Sequence, residues 1–138
     1  MTTLAKNEPR AFEEGEYNDL PVIASDIIYE GAAVGENGSG YFRPLVAGDN
    51  FAGFAVKKAD NSSGDAGDIN VRVRPKGKIQ LAVTGVTGVT DEGSTVYASD
   101  DNTFTLSSTS NSAIGKIVRH VSSTKVIVAF EAVSCRSI

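Results

Sequence analysis

From Pro21 onward the chain is never apolar for long. Short bursts, "VIASDII", "GYFRPLV", "FAGFAV", "INVRVR", "KIQLAV", "TVYA", "TFTL", "AIGKIVRHV" and "KVIVAF", are separated by Gly, Asn, Asp, Ser or Pro. Runs of this length, rich in β-branched residues and closely punctuated by turn formers, suit strands and not helices. The 14 glycines and the abundance of Thr, Ser and Val point the same way. Close spacing of such strands predicts an all-β sandwich or small barrel. Val126 to Phe130 is apolar at every position, which predicts a central strand covered on both faces.

A second regularity narrows the fold. "YEGAAVGENGSGYFRPL", Tyr29 to Leu45, is echoed by "DEGSTVYASDDNTFTL", Asp91 to Leu106. Glu30 and Glu92, Gly31 and Gly93, Val34 and Val96, Phe42 and Phe104, Gly53 and Gly115, and Val56 and Val118 all stand 62 residues apart. Chance would supply roughly one or two such identities. The expected unit is a Glu-Gly turn, a strand ending at Val34 or Val96, a polar turn, a return strand through Phe42 or Phe104, and a strand with an interior glycine. An interior strand glycine marks a bulge or a close backbone approach. Two such β-modules, residues 30–56 and 92–118, would close on one core.

Length and charge bound the function. At 138 residues the chain fits a single domain with a real core. A formal charge of -4 disfavours nucleic acid, whose phosphates demand a strong basic footprint. The single Cys135 has no internal disulfide partner and makes no zinc cluster. "MTTLAKNEPRAFEEGEY" lacks the apolar centre of a signal peptide, and no run reaches membrane-spanning length, so a soluble chain without a membrane partner is expected.

Catalytic and cofactor motifs are sparse. "GVTDEGST", Gly88 to Thr95, imitates a phosphate-binding loop, but Ser94 stands where the lysine belongs and "TVYAS" reads as a strand where a helix is required. His120 is the only histidine, which leaves little for a triad, a Cys-His pair or a zinc site. Asp91, Glu92, Asp100 and Asp101 are better explained as turn residues than as an acid-base pair, which needs one member in an apolar setting. "DNSSGDAGD", Asp60 to Asp68, offers oxygen ligands without the spacing or terminal Glu of a calcium loop. The expectation is a protein that is not an enzyme and carries no cofactor or metal.

Two features point to binding. In "VRVRPKGKIQLAV" the cations Arg72, Arg74, Lys76 and Lys78 alternate with Val71, Val73, Ile79, Leu81 and Val83. Strand side chains alternate faces, so an extended course through Pro75 would line four cations on one side, either as a solvated face or as a contact for acidic groups on a partner. Residues 1–19 carry five carboxylates and no sustained periodicity, and read as an arm with little reason to fold onto its own barrel. Such an arm either frays or orders on a partner, with Leu4, Phe12 and Tyr17 as apolar anchors and Pro9 and Arg10 fixing the path.

The ordered set "EGAAVG", "GYFRPL", "FAGFAV", "AGDINVRVRPKGKIQLAVTG", "EGSTVYAS", "AIGKIV" and "TKVIVAFE" resembles the capsid cement, or head-decoration, proteins of tailed bacteriophages and prophages. The resemblance spans about residues 15–133. It implies a small β-barrel or β-tulip-like single domain, residues 20–138, behind an extended N-terminal arm, residues 1–19. It also implies a structural virion protein, made in the bacterial cytoplasm, that sits as a homotrimer on the capsid exterior and clamps neighbouring major capsid protein subunits. The family offers no catalytic residues. Two other readings stay open: a β-sandwich module that binds glycans or cell surfaces, disfavoured by the absence of Trp and of clustered Tyr, and a carboxylate hydrolase.

Overall fold

The computed structural model describes residue 3, residues 5–10 and residues 15–136. The chain is all-β. Its strands are β1 (Asn18–Pro21), β2 (Asp26–Ile28), β3 (Ala33–Glu36), β4 (Phe42–Pro44), β5 (Asn50–Ala55), β6 (Ala59–Asn61) and β7 (Asn70–Arg74), then β8 (Lys76–Thr84), β9 (Thr95–Ala98), β10 (Phe104–Thr105), β11 (Ser112–Ser122) and β12 (Lys125–Glu131). Single 3-10 turns lie at Val89–Asp91 and Val133–Cys135. No described helix is long and apolar enough to cross a membrane.

The strands form two five-membered sheets and a β2–β6 ribbon. The first sheet runs β1-β7-β5-β3-β4, and the second runs β8-β12-β11-β9-β10 and closes into a barrel through a parallel β10–β8 pairing. Both follow one plan. The first pairs Ala33 with Phe54, Val34 with Gly53, Gly35 with Phe51 and Glu36 with Asn50. The second pairs Thr95 with Lys116, Val96 with Gly115, Tyr97 with Ala113 and Ala98 with Ser112. Each residue of the second set follows its counterpart by 62 positions, and the ladder slips at the same place, Ala52 or Ile114. The correspondence continues outward. Leu20 faces Val71 as Leu81 faces Val126, and Phe42 faces Glu36 as Phe104 faces Ala98. Even the closure recurs, as a lone parallel Val22–Phe42 bridge in the first sheet and as the Val83–Phe104 pair in the second. Val34 and Val96 lie inside their strands instead of ending them, one detail in which the expected unit is corrected.

Equivalent positions fill the two interiors. Val22, Val34, Ala55, Val71 and Val73 pack in the first unit, and Val83, Val96, Ile117, Val126 and Val128 in the second. The units differ on the opposite face. In the first, Ala33, Phe51 and Phe54 turn away from their own interior and join the second core. There Phe54 lies edge-on to Phe130 at 4.9 Å between ring centroids and 5.9 Å from Phe104, and Phe51 stands 6.2 Å from Phe130. The counterparts of Ala33, Phe51 and Phe54 are Thr95, Ala113 and Lys116, which remain half-exposed or exposed. Polar links reinforce the junction: the Ala33 amide donates to the Asp101 carbonyl at 2.9 Å, and the Ser112 hydroxyl donates to the Asp49 carbonyl at 2.6 Å.

Strand β12 is central, flanked by β8 and β11, but only one of its faces is covered. Val126, Val128 and Phe130 are buried, while Ile127 and Ala129 are half-exposed. The continuous apolar run therefore overstates burial, because the outer wall of this barrel meets no second layer among the described residues.

Candidate interaction surface

The cationic stripe divides at Pro75, where the chain leaves the first sheet for the second barrel. Arg72 and Arg74 belong to β7 and are engaged within the chain. Arg72 pairs with Asp19 at 3.0 Å and Arg74 with Glu16 at 3.4 Å. Both guanidinium groups stand against the Tyr17 ring, 5.9 and 5.3 Å from its centroid, and Arg74 also donates to the Tyr17 hydroxyl at 3.2 Å. The hydrogen bond from Arg72, with its charge, holds the Asp19 carboxyl below the usual aspartate range in spite of some desolvation.

This arrangement corrects the arm. Asn18–Pro21 is strand β1, paired to β7, and Glu16 and Tyr17 seat on the same wall. An acidic and aromatic segment beside two arginines has reason enough to fold onto its own barrel. Pro9 and Arg10 are exposed and outside regular structure, while Leu4 and Phe12 lie outside the described residues.

Lys76 and Lys78 are exposed on β8, and with Arg74 they border one hollow. The barrel registers add cations that strand alternation alone did not reveal. Lys78 lies opposite Ala129, which lies opposite Lys116; Gln80 lies opposite Ile127, which lies opposite Arg119. Lys125 opens β12 beside Ala82. Lys76, Lys78, Lys116, Arg119 and Lys125 are all exposed, and among the described residues none has a carboxylate within 4.0 Å. Glu131, opposite Lys76, is the acidic residue at the edge of this wall. Arg119 escaped the sequence because the bulge between Ile117 and Arg119 breaks alternation, so that both Lys116 and Arg119 reach the outer face across an odd spacing.

The remaining candidate chemistry is absorbed into turns. The Asp91 carboxylate accepts from the Thr87 and Gly88 amides at 2.7 and 3.2 Å, which lowers its pKa, and Thr95–Ala98 is a strand. In the Asp60 to Asp68 loop, Asp60 accepts from Ser62, Asp68 accepts from the Asp65 amide, and buried Asn61 donates to the Ile23 and Asp65 carbonyls. His120 lies on β11 with Nε2 2.9 Å from the Ser123 carbonyl, and Cys135 is exposed. Among the described residues no three His, Cys, Asp or Glu side chains gather as metal ligands.

Asp101 is the exception. Burial raises its pKa, with Asp100 and Asp26 adding repulsion. A raised folded pKa means that the native state holds a proton the unfolded chain releases, so the ionised group opposes folding at neutral pH and the opposition fades on acidification. Asp101→Asn is therefore expected to raise the melting temperature at pH 7. That gain should vanish in a pH series once the pH falls below the ordinary aspartate value of 3.8.

Comparison with protein-family models, with curated proteins and with solved structures finds no match to this chain.

Proposed function

We propose that the chain is a structural protein of the virion exterior that binds the capsid of a tailed phage and cements neighbouring major capsid protein subunits, working as a homotrimer. The observation that carries this reading is the outer wall of the second barrel. Five exposed cations stand there without carboxylate partners among the described residues, in a chain whose net charge is -4. Concentrated positive charge against the sign of the whole molecule is the footprint of a surface that selects an acidic partner. The ordered sequence blocks that resemble decoration proteins support the same reading. Cementing is then linkage: a protein that binds the expanded lattice better than free subunits stabilises that lattice by its differential affinity. Three copies held together would multiply modest contacts through effective concentration.

The test is co-sedimentation of the purified chain with expanded capsids stripped of decoration protein. Lys78→Glu with Lys116→Glu is expected to weaken capsid binding by at least about tenfold, and salt should weaken the wild type in the same sense. Thermal unfolding of the double variant should match the wild type, since both side chains are exposed. Undiminished binding by the folded double variant, across the salt series, would reject the wall as the contact.

A further inference from the structure

The wall of the second barrel has a defined shape as well as a charge. Adjacent strands lie about 4.8 Å apart, so the β8 and β11 cations form two rails about 10 Å apart across β12. Between the rails lie the half-exposed Ile127 and Ala129. Hollows flank Ala129 on both sides, one bordered by Gly77 and Lys78, the other by Ala113, Lys116 and Val118, with Glu131 at the end of both and Glu16 at the edge of the first. The surface is an apolar floor between cationic margins.

The first unit shows which side chains pack well against guanidinium groups on such a wall. On the corresponding wall of the first unit, Arg72 and Arg74 meet side chains of the adjacent strand β1 and its lead-in, the carboxylates of Asp19 and Glu16 and the face of Tyr17. The register correspondence sets β12 of the second unit where β7 stands in the first, and β8 where β1 stands. In the second unit Ile127 and Ala129 replace the two arginines, and the cations move outward to the neighbouring strands. An occupant must then be acidic along both margins and apolar at its centre.

We propose that this groove binds an extended acidic segment of a partner protein carrying an aromatic or large apolar side chain, which rests over Ile127 and Ala129 while its carboxylates meet Lys78, Lys116 and Arg119. This rests on the reading of the wall as an interface and adds the chemistry of what it grips. A partner protein is favoured over nucleic acid because the floor between the cations is apolar, which suits a large side chain and leaves a sugar-phosphate backbone little to contact.

A fluorescent peptide repeating Glu-Tyr-Asn-Asp, the sequence of residues 16–19, serves as the probe, with no capsid present. Anisotropy should show saturable binding that weakens by about tenfold between low and physiological salt. Lys78→Glu with Lys116→Glu should abolish it, and Ile127→Asp should weaken it at least about tenfold while circular dichroism reports an intact fold. Replacing the peptide tyrosines by alanine should weaken it to a similar degree. Should Ile127→Asp fail to fold, the lysine variant and the alanine peptide carry the test alone. Peptide binding that ignores these lysines, or that survives loss of the tyrosines, overturns the inference, as does tighter binding of a single-stranded oligonucleotide of equal length. Absence of peptide binding alongside lysine-dependent capsid binding overturns this inference alone; absence of both removes the functional reading as well.

Discussion

Gly115→Ala is expected to be among the most damaging single-methyl changes in the described chain, costing more than about 3 kcal/mol or preventing folding outright. A methyl on Gly115 would be driven into the Ala129 carbonyl of the neighbouring strand, with the Phe130 Cα only 2.8 Å away. Both obstacles are backbone in the middle of a barrel ladder, so neither can swing aside as a flexible side chain would. Gly53 makes the matching approach to the Arg74 carbonyl of β7, and its φ of +124° adds a conformational penalty that Gly115 does not carry. Gly53→Ala should therefore lose at least as much. Gly88 is the control, since nothing stands within 4 Å of a methyl there and its backbone is extended. Gly88→Ala should change stability by less than about 1 kcal/mol. Urea unfolding of the three variants checks the set, and a Gly115→Ala protein within about 1 kcal/mol of wild type would contradict the close approach.

The second large effect concerns the junction. Phe54→Ala is expected to cost about 3–5 kcal/mol, the usual loss for a fully packed phenylalanine. Its ring is 3% exposed and touches Phe51, Phe104 and Phe130, so one truncation removes aromatic packing on both sides of the boundary. The consequence reaches beyond magnitude. With Phe54 present, a strand of the first unit is anchored in the core of the second and the two should unfold in one calorimetric transition; without it, the transition should broaden or split as each unit follows its own core. Phe42→Ala, at the place in the first unit that matches Phe104, removes a half-buried ring outside that cluster and should cost less while leaving one transition. A sharp, single transition for folded Phe54→Ala would show that the polar junction contacts suffice to couple the units.

The strands, the all-β class and the barrel were legible because short apolar bursts between turn formers have few other solutions. The repeat was legible through Gly53 and Gly115, residues that only backbone crowding explains, and the structure extends it to strands whose side chains have diverged. Leu20 and Leu81 play one part, yet their spacing differs from the 62 residues of the central segment because the intervening connections differ in length. What could not be read was which outer face would be covered. Phe54 and Lys116 occupy matching ladder positions, one seated in the neighbouring core and one in solvent, and only the packing of two units against each other separates them. The candidate surface was half legible for a related reason. Lys76 and Lys78 followed from alternation, but joining them to Lys116 and Arg119 requires the β8–β12–β11 register, a long-range property. The engagement of Arg72 and Arg74 likewise depends on residues over fifty positions upstream.

Closure of the second barrel has a consequence for how this protein can be recognised. The seam joins Phe104 and Thr105 to Val83 and Thr84, which covers the rim of β8 at that end, while residues 76–82 pair with β12 on one side and with no described strand on the other. On the barrel's outer wall attachments are written in side chains, where a lysine can be exchanged for an arginine or moved by one bulge without disturbing the scaffold. The first sheet differs in degree: one bridge, Val22 to Phe42, holds its seam where two pairs hold the second. Prising that seam apart would expose further main-chain donors and acceptors that any extended chain can read, while along β8 of the second unit Lys76 and Lys78 guard the one-sided edge against such additions.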